Sequence, residues 1–266
     1  MLNPRSRKKN VPELLAAGSG ALFATGSPVW LVIPAFNEAD VIGQTLLRLP
    51  SGIFSQVVVG DNGSSDNTAE VARRAGAQVV SIEEKGYGAA CLAVLAEAPD
   101  NVILVFLQAD GSEDAREATR LIEPILANQA DLVIGSRVLG QASRGSLRPH
   151  QRFGNWLATS LIALFWGQRL TDLGPFRAIR AGTLRALAMQ DRNYGWTVEM
   201  QVRAARQRLR VVEIPVRYGQ RLAGTEKVSG NLLTSFHAGA KILSVIFCSA
   251  FHGKNSANQT SVPPQQ

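Results

Sequence analysis

The sequence predicts an α/β protein built on a doubly wound, mostly parallel sheet. Three observations carry that expectation. Short apolar runs alternate with segments of helical periodicity through the first half of the 266-residue chain, the pattern of successive βα units. The run at 101–110, Asn-Val-Ile-Leu-Val-Phe-Leu-Gln-Ala-Asp, stays apolar on both faces before it turns polar, as a central parallel strand covered by helices must. Successive runs also end in polar hooks, and such a sheet gathers its strand ends, and its ligands, along one edge.

Residues 30–36 (Trp-Leu-Val-Ile-Pro-Ala-Phe) read as the first strand. Asn37 is placed to cap a helix over 38–49, where Val41, Ile42, Thr45, Leu46 and Leu49 recur at helical spacing. A second strand over 56–60 runs into Asp61-Asn62-Gly63-Ser64-Ser65-Asp66-Asn67-Thr68 and a helix ending at Ala75. A third, 78–84, leads to Lys85-Gly86-Tyr87-Gly88 and an alanine-rich helix ending at Ala98. The central run follows, then a helix over 114–128 and a fifth strand, 131–135, that ends in Ser136-Arg137.

After Arg137 the pattern changes. A basic loop, 139–152, carries Arg144, Arg148 and Arg152. The apolar helix expected over 153–168 is shorter than the ~20 residues a bilayer span needs, so it is either a core helix or an interfacial one anchored by Trp156 and Trp166. A strand over 170–180, bent at Gly174-Pro175, is expected next, with Asp172 tying it down through Arg177 or facing a substrate. Helices over 183–189 and 197–209, a strand over 210–218, a loop over 219–230 and an amphipathic helix over 232–250 complete the pattern. The polar tail from Gly253 has the composition of disorder, and the arm 1–28 is basic but too interrupted by Glu13 and glycines for a secretion signal.

Charge divides the chain. Residues 1–138 hold 11 lysines and arginines against 16 acids, and residues 139–266 hold 17 against 5. An acidic half suits a metal, and a basic half suits phosphate or an anionic membrane; a solvated basic surface is the plainer alternative. No nucleic-acid-binding motif accompanies the bases. Cys91 and Cys248 lack metal-ligand spacing and form no disulfide framework, which fits a reducing cytoplasm.

Singly the hooks are ordinary turn chemistry, because Asn, Asp, Ser and Gly dominate turns. Together they carry a resemblance. Val32-Ile33-Pro34-Ala35-Phe36-Asn37-Glu38, Gly60 through Thr68 and Gln108-Ala109-Asp110-Gly111 resemble the motifs of the family 2 glycosyltransferases, inverting enzymes of the GT-A fold. Gly135-Ser136-Arg137, Thr171 through Ala178, Glu199-Met200, Glu213-Ile214-Pro215-Val216 and Arg221 through Gly230 are most similar to the polyprenyl-phosphate sugar synthases, the group of dolichol-phosphate mannose synthase.

The resemblance covers about residues 29–245 and implies a nucleotide-sugar half (29–138), an acceptor half (139–245) and a terminal segment (246–266). It implies that Pro34, Ala35, Asn37 or Glu38, and Asp61 line the base and ribose, that Lys85 and Gly86 lie beside the nucleotide, and that Ser64, Gln108 and Ala109 also belong to the nucleotide site. Asp110 would hold Mg2+ or Mn2+ on the diphosphate, a hard cation that neutralises charge on the leaving nucleotide. The departure is Gln108, where the family's D-x-D has its first carboxylate: an amide oxygen can still be a ligand but brings no charge. Glu113 and Asp114 could assist as ligands or serve as acids of the next helix's first turn.

On the acceptor side, a hydroxyl must lose a proton before it attacks, whereas a phosphate monoester is already an anion. Arg137, Arg221 and Lys227 match the family's phosphate contacts, Asp172 is a candidate to orient the acceptor, and Glu199 is the base candidate for a hydroxyl. The resemblance thus implies hexose transfer to a lipid-linked phosphate by a cytoplasmic protein peripheral to the membrane's inner face. A hydroxyl acceptor and a donor-binding protein weakened by Gln108 are the alternatives. A sugar nucleotidyltransferase is disfavoured, because no glycine-rich basic loop follows the first strand.

Overall fold

The structure is a computed structural model that describes residues 27–140, 142–143, 147–222 and 232–252, with side chains described over 239–251 in the last segment. The basic arm before Ser27, Arg144, the loop residues Gly224, Lys227 and Gly230, and the tail from Gly253 lie outside the described residues.

Among the described residues seven strands form one sheet in the order β3-β2-β1-β4-β6-β5-β7. The strands are β1 (Val29–Ala35), β2 (Gln56–Asn62), β3 (Gln78–Ile82), β4 (Ile103–Phe106), β5 (Leu132–Ser136), β6 (Arg177–Arg180) and β7 (Val211–Pro215). Every pairing is parallel except those of β6, which runs antiparallel to both β4 and β5. The mostly parallel, doubly wound reading therefore holds. The expected strand over 170–180 shrinks to its last four residues, because 170–176 arch over the strand ends instead of joining the ladder. Both halves of the chain share this sheet, since β6 enters between β4 and β5.

Alternation along β1 explains the two-faced core. Leu31 and Ile33 point into one cluster with Ile42, Leu46, Leu121 and Ile122, from α1 (Ala39–Leu47) and α4 (Ala118–Leu126). Val32 points into the other, with Val94 of α3 (Tyr87–Glu97), Ile162 of α5 (Pro149–Trp166) and Trp196 and Val198 of α7 (Trp196–Arg206). α2 (Thr68–Arg74) and α6 (Ala181–Ala186) complete the covering layers, and α8 (Leu232–His252) packs against α5 and α7.

Two local expectations are corrected. Asn37 does not cap α1 but takes a left-handed conformation (φ 51°). The helix start is capped across the loop instead, as Glu38 N donates to Thr68 Oγ1 (2.8 Å) and Ala39 N to Asp66 Oδ2 (3.2 Å). Asp172 pairs with Arg137, not Arg177. The buried Arg177 donates to the carbonyls of Leu173, Gly174 and Thr197, which holds the arch 173–176, and burial lowers its pKa to about 10.

Candidate active site

The carboxyl ends of β1, β2 and β4 and the residue after β5 open on one cleft of about 380 Å3. The strand order reverses between β1 and β4, the place where sheets of this type bind ligands. Pro34 and Ala35 come from the end of β1, Asn62 from β2, Gln108, Ala109 and Asp110 from the segment after β4, and Arg137 from the residue after β5. Glu38, Lys85, Gly86 and Arg221 join them. All of these but Asn62, ten residues, are sequence-predicted, and they line one cleft.

Three others support that cleft without lining it. Asn37 N donates to Ser64 Oγ (2.9 Å) while Asn37 Oδ1 accepts from Ser65 N (2.8 Å), which staples the first two strand-end loops together. Asp61 is buried and Oδ1 accepts from Ser64 N at 3.4 Å; its neighbour Asn62 reaches the cleft. Lys85 stands over the Phe36 ring at 5.5 Å, a cation on an aromatic face.

The hook after β4 is tightly held. Asp110 Oδ1 accepts from Ser112 N (3.0 Å) and Ser112 Oγ (2.6 Å). Arg221 reaches Asp110 Oδ2 at 3.3 Å and Glu38 Oε1 at 3.1 Å. Leu222 N donates to Asp110 O and Gly219 N to Ser112 O, so the segment after β7 is laced to the hook. Beneath it Glu113 accepts from Gln108 N (2.8 Å) through Oε2, while Oε1 is buried without a partner. Burial pushes the Glu113 pKa up to about 8, against the Gln108 bond and with the Asp110 charge adding to it. Asp114 caps the following turn through Arg116 N.

The donor set of the hook bears on the metal. No group of three or more acids, histidines or cysteines is assembled among the described residues. Mg2+ is commonly held by one or two carboxylates with substrate phosphates and water completing its shell. Asp110 with the Gln108 amide oxygen fits that minimal set.

A second cleft, of about 900 Å3, adjoins the first, and Arg137 and Gln151 line both. Arg137 forms a bidentate pair with Asp172 (2.8 and 2.7 Å) and lies over the Tyr218 ring at 5.2 Å. Burial works against its charge, but the bonds and charge of Asp172 outweigh that and raise its pKa. Nε and Nη2 are spent on Asp172, and Nη1 has no hydrogen-bond partner among the described residues. The second cleft adds Arg152 and Arg169 and the apolar surfaces of Leu147, Trp156 and Leu170.

Glu199 lies outside both linings. Its carboxylate accepts from Gln190 N (3.0 Å), Asp191 N (2.7 Å) and Arg203 Nε (2.7 Å). These bonds fix the loop 190–195, which brings Asn193 and Tyr194 into the first cleft. Sequence reasoning passed over that loop, along with Tyr87, Gln151 and Tyr218. The one local signal was the glycine spacing at Gly86 and Gly88: a Cβ on either would stand 2.1 Å from a carbonyl of the loop.

The glycosyl transferase family 2 model matches residues 30–187, more than half of the chain. The chain belongs to glycosyl transferase family 2. This family 2 chain is 37% identical over 220 residues to an uncharacterised glycosyltransferase of Mycobacterium tuberculosis, with 80% of this chain and 95% of the relative covered. It is 32% identical over 218 residues to the undecaprenyl-phosphate mannosyltransferase of Micrococcus luteus, with 77% and 89% covered. Its fold matches glucosyl-3-phosphoglycerate synthase of Mycobacterium tuberculosis, solved with Mn2+, UDP and phosphoglyceric acid, at a TM-score of 0.66 and 21% identity over 94% of this chain and 84% of that one. The protein is a glycosyltransferase of the GT-A fold.

Proposed function

We propose that the enzyme transfers a hexose from a nucleotide-sugar, GDP- or UDP-linked, to a lipid-linked phosphate of the polyprenyl type, with inversion. The observation that carries this reading is the junction of the two clefts at Arg137. On one side lie the strand-end hooks for the donor, and on the other a larger cavity with cationic and apolar walls, suited to a phosphate on an alkyl chain. The similarity to the Micrococcus luteus mannosyltransferase supports the same acceptor class.

The carboxylates point the same way. Glu38 and Asp110 meet Arg221, Asp172 meets Arg137, and Glu199 is committed to loop 190–195. A hydroxyl acceptor would need one of them released as a base, whereas a phosphate monoester attacks as the anion it already is. Its oxygen would bond to the anomeric carbon as the bond to the nucleotide diphosphate breaks and the electron pair leaves with that group. Arg137 Nη1 would orient the acceptor; Arg221 would follow the charge developing on the diphosphate. A divalent cation on Asp110, with Gln108 beside it, would supply further charge neutralisation when bound.

The test is a panel of nucleotide-sugars with Mg2+ or Mn2+, scored for transfer to a short-chain polyprenyl phosphate. Phosphoglyceric acid, bound in the fold relative, and a glycolipid serve as the hydroxyl-bearing arms. Transfer to the hydroxyl arms alone would overturn the acceptor assignment. Donor binding without turnover on any arm would make the protein a nucleotide-sugar binder.

A further inference from the structure

We infer that the outward face formed by α5 and α8 is a seat for an anionic bilayer surface. On α5, Phe153, Trp156 and Leu164 share one stripe and are 62%, 60% and 75% exposed. Phe165 turns toward α8 and meets Phe247 and Phe251 at 5.9 and 6.3 Å, and Phe251 is itself 63% exposed. The result is a ridge with two aromatic clusters, Phe153 with Trp156 (5.8 Å) and Phe165 with Phe247 and Phe251, where a soluble face carries apolar residues singly.

Charge selects the occupant. Neither helix contains an Asp or Glu, and the chain has none at all over 139–171 or over 227–266. Arg152 and Arg169 are exposed beside the ridge and meet no acid among the described residues. A second copy docking through this face would set arginines against arginines with no carboxylate to answer them. An anionic headgroup layer answers them directly, with the aromatic side chains entering the acyl boundary. No helix among the described residues is long and apolar enough to cross a membrane, so the pair would lie in the interface plane.

The position of the ridge gives it a use. Trp156, Arg152 and Arg169 also line the second cleft, so seating α5 on a bilayer places that cleft's mouth at headgroup level. Lys241 of α8 pairs with Asp191 at 3.0 Å, which links the seat to loop 190–195 of the donor cleft. The use rests on the lipid-phosphate reading; the seat itself does not.

The test is flotation of the full chain with phosphatidylglycerol/phosphatidylcholine vesicles and with phosphatidylcholine alone, neither containing a polyprenyl phosphate. The comparison protein carries Phe153→Ser, Leu164→Ser and Phe251→Ser, at exposed positions that line neither cleft. The wild type should float with the anionic vesicles, less so in high salt, and the variant should partition about tenfold more weakly or less. Equal melting of the two and equal turnover of a water-soluble short-chain acceptor phosphate would confine the effect to the seat. Failure of the wild type to bind anionic vesicles overturns the inference, as does self-association that the three substitutions abolish without any vesicle binding. Flotation lost in the variant, with no transfer to any phosphate by either protein, upholds the seat and overturns the acceptor assignment instead.

Discussion

Arg221 bridges Glu38 and Asp110 across the first cleft, with guanidinium nitrogens 3.1 and 3.3 Å from the two carboxylates and Nε buried without a partner among the described residues. Arg221 stands on the Asp110 oxygen that a divalent cation would take. Cation and arginine would therefore compete until a diphosphate offered the guanidinium another anion. Arg221→Ala should strengthen Mn2+ binding several-fold in the absence of donor, read by paramagnetic titration, yet lower transfer by about 100-fold because a charge-assisted contact to the leaving group is gone. Asp110→Asn should abolish both metal binding and transfer while the melting temperature stays within a few degrees. Unchanged metal affinity in Arg221→Ala would mean that Asp110 is not the ligand.

Glu113 supplies a pH dependence with a definite sign. Its folded pKa, about 8, lies above the ordinary carboxylate range, so the folded protein binds a proton that the unfolded chain releases near pH 4.5. Stability from this group is complete below the unfolded value and falls as pH rises through the window up to about 8, at no more than about 1.4 kcal/mol per pH unit. Glu113→Gln should flatten that slope in denaturant titrations between pH 5 and 8. A slope identical to wild type would show that the carboxyl is ionised in the fold.

Glu199 is held by backbone donors, which separates a loop anchor from a base. In Glu199→Gln an amide N–H must face a backbone N–H at 190 or 191, and Arg203 loses its carboxylate, at a cost of about 2 kcal/mol. The expected result is a lower melting temperature and a raised KM for the donor, because Asn193 and Tyr194 shift with the loop. The pH profile of kcat should keep its shape. A lost acidic limb would return Glu199 to the chemistry, because a carboxylate base must be ionised to act.

The sheet and its hooks were legible because each strand announces itself locally. The run at 101–110 is apolar on both faces, and a parallel sheet puts Ala35, Asn62, Asp110 and Arg137 on one edge whatever the rest of the chain does. What escaped depends on contacts distant in sequence. Thr68, not Asn37, caps the start of α1, since a left-handed Asn37 aims its side chain at Ser65. Asp172 chose Arg137 over the nearer Arg177, because Arg177 points inward to satisfy the carbonyls of its own arch. Tyr218 reaches the cleft by the course of the segment after β7, and nothing in its sequence neighbourhood marks it.

Gln108 is the remaining departure from the family pattern, and its surroundings set what restoring the carboxylate would do. Its side-chain oxygen accepts from Ser112 Oγ at 3.3 Å, a bond a shorter Asp would forgo, and Glu113 lies directly below. Gln108→Asp would add a negative charge close to Asp110, which raises the pKa of nearby acids and strengthens attraction for a divalent cation. Mn2+ should bind about tenfold more tightly in this variant, and the gain should shrink at low pH as protons compete for the same oxygens. Because Arg221 is drawn to the same charge, the gain should be larger in the double variant Gln108→Asp, Arg221→Ala than in Gln108→Asp alone. Equal Mn2+ affinity in wild type and Gln108→Asp would place the cation away from this hook.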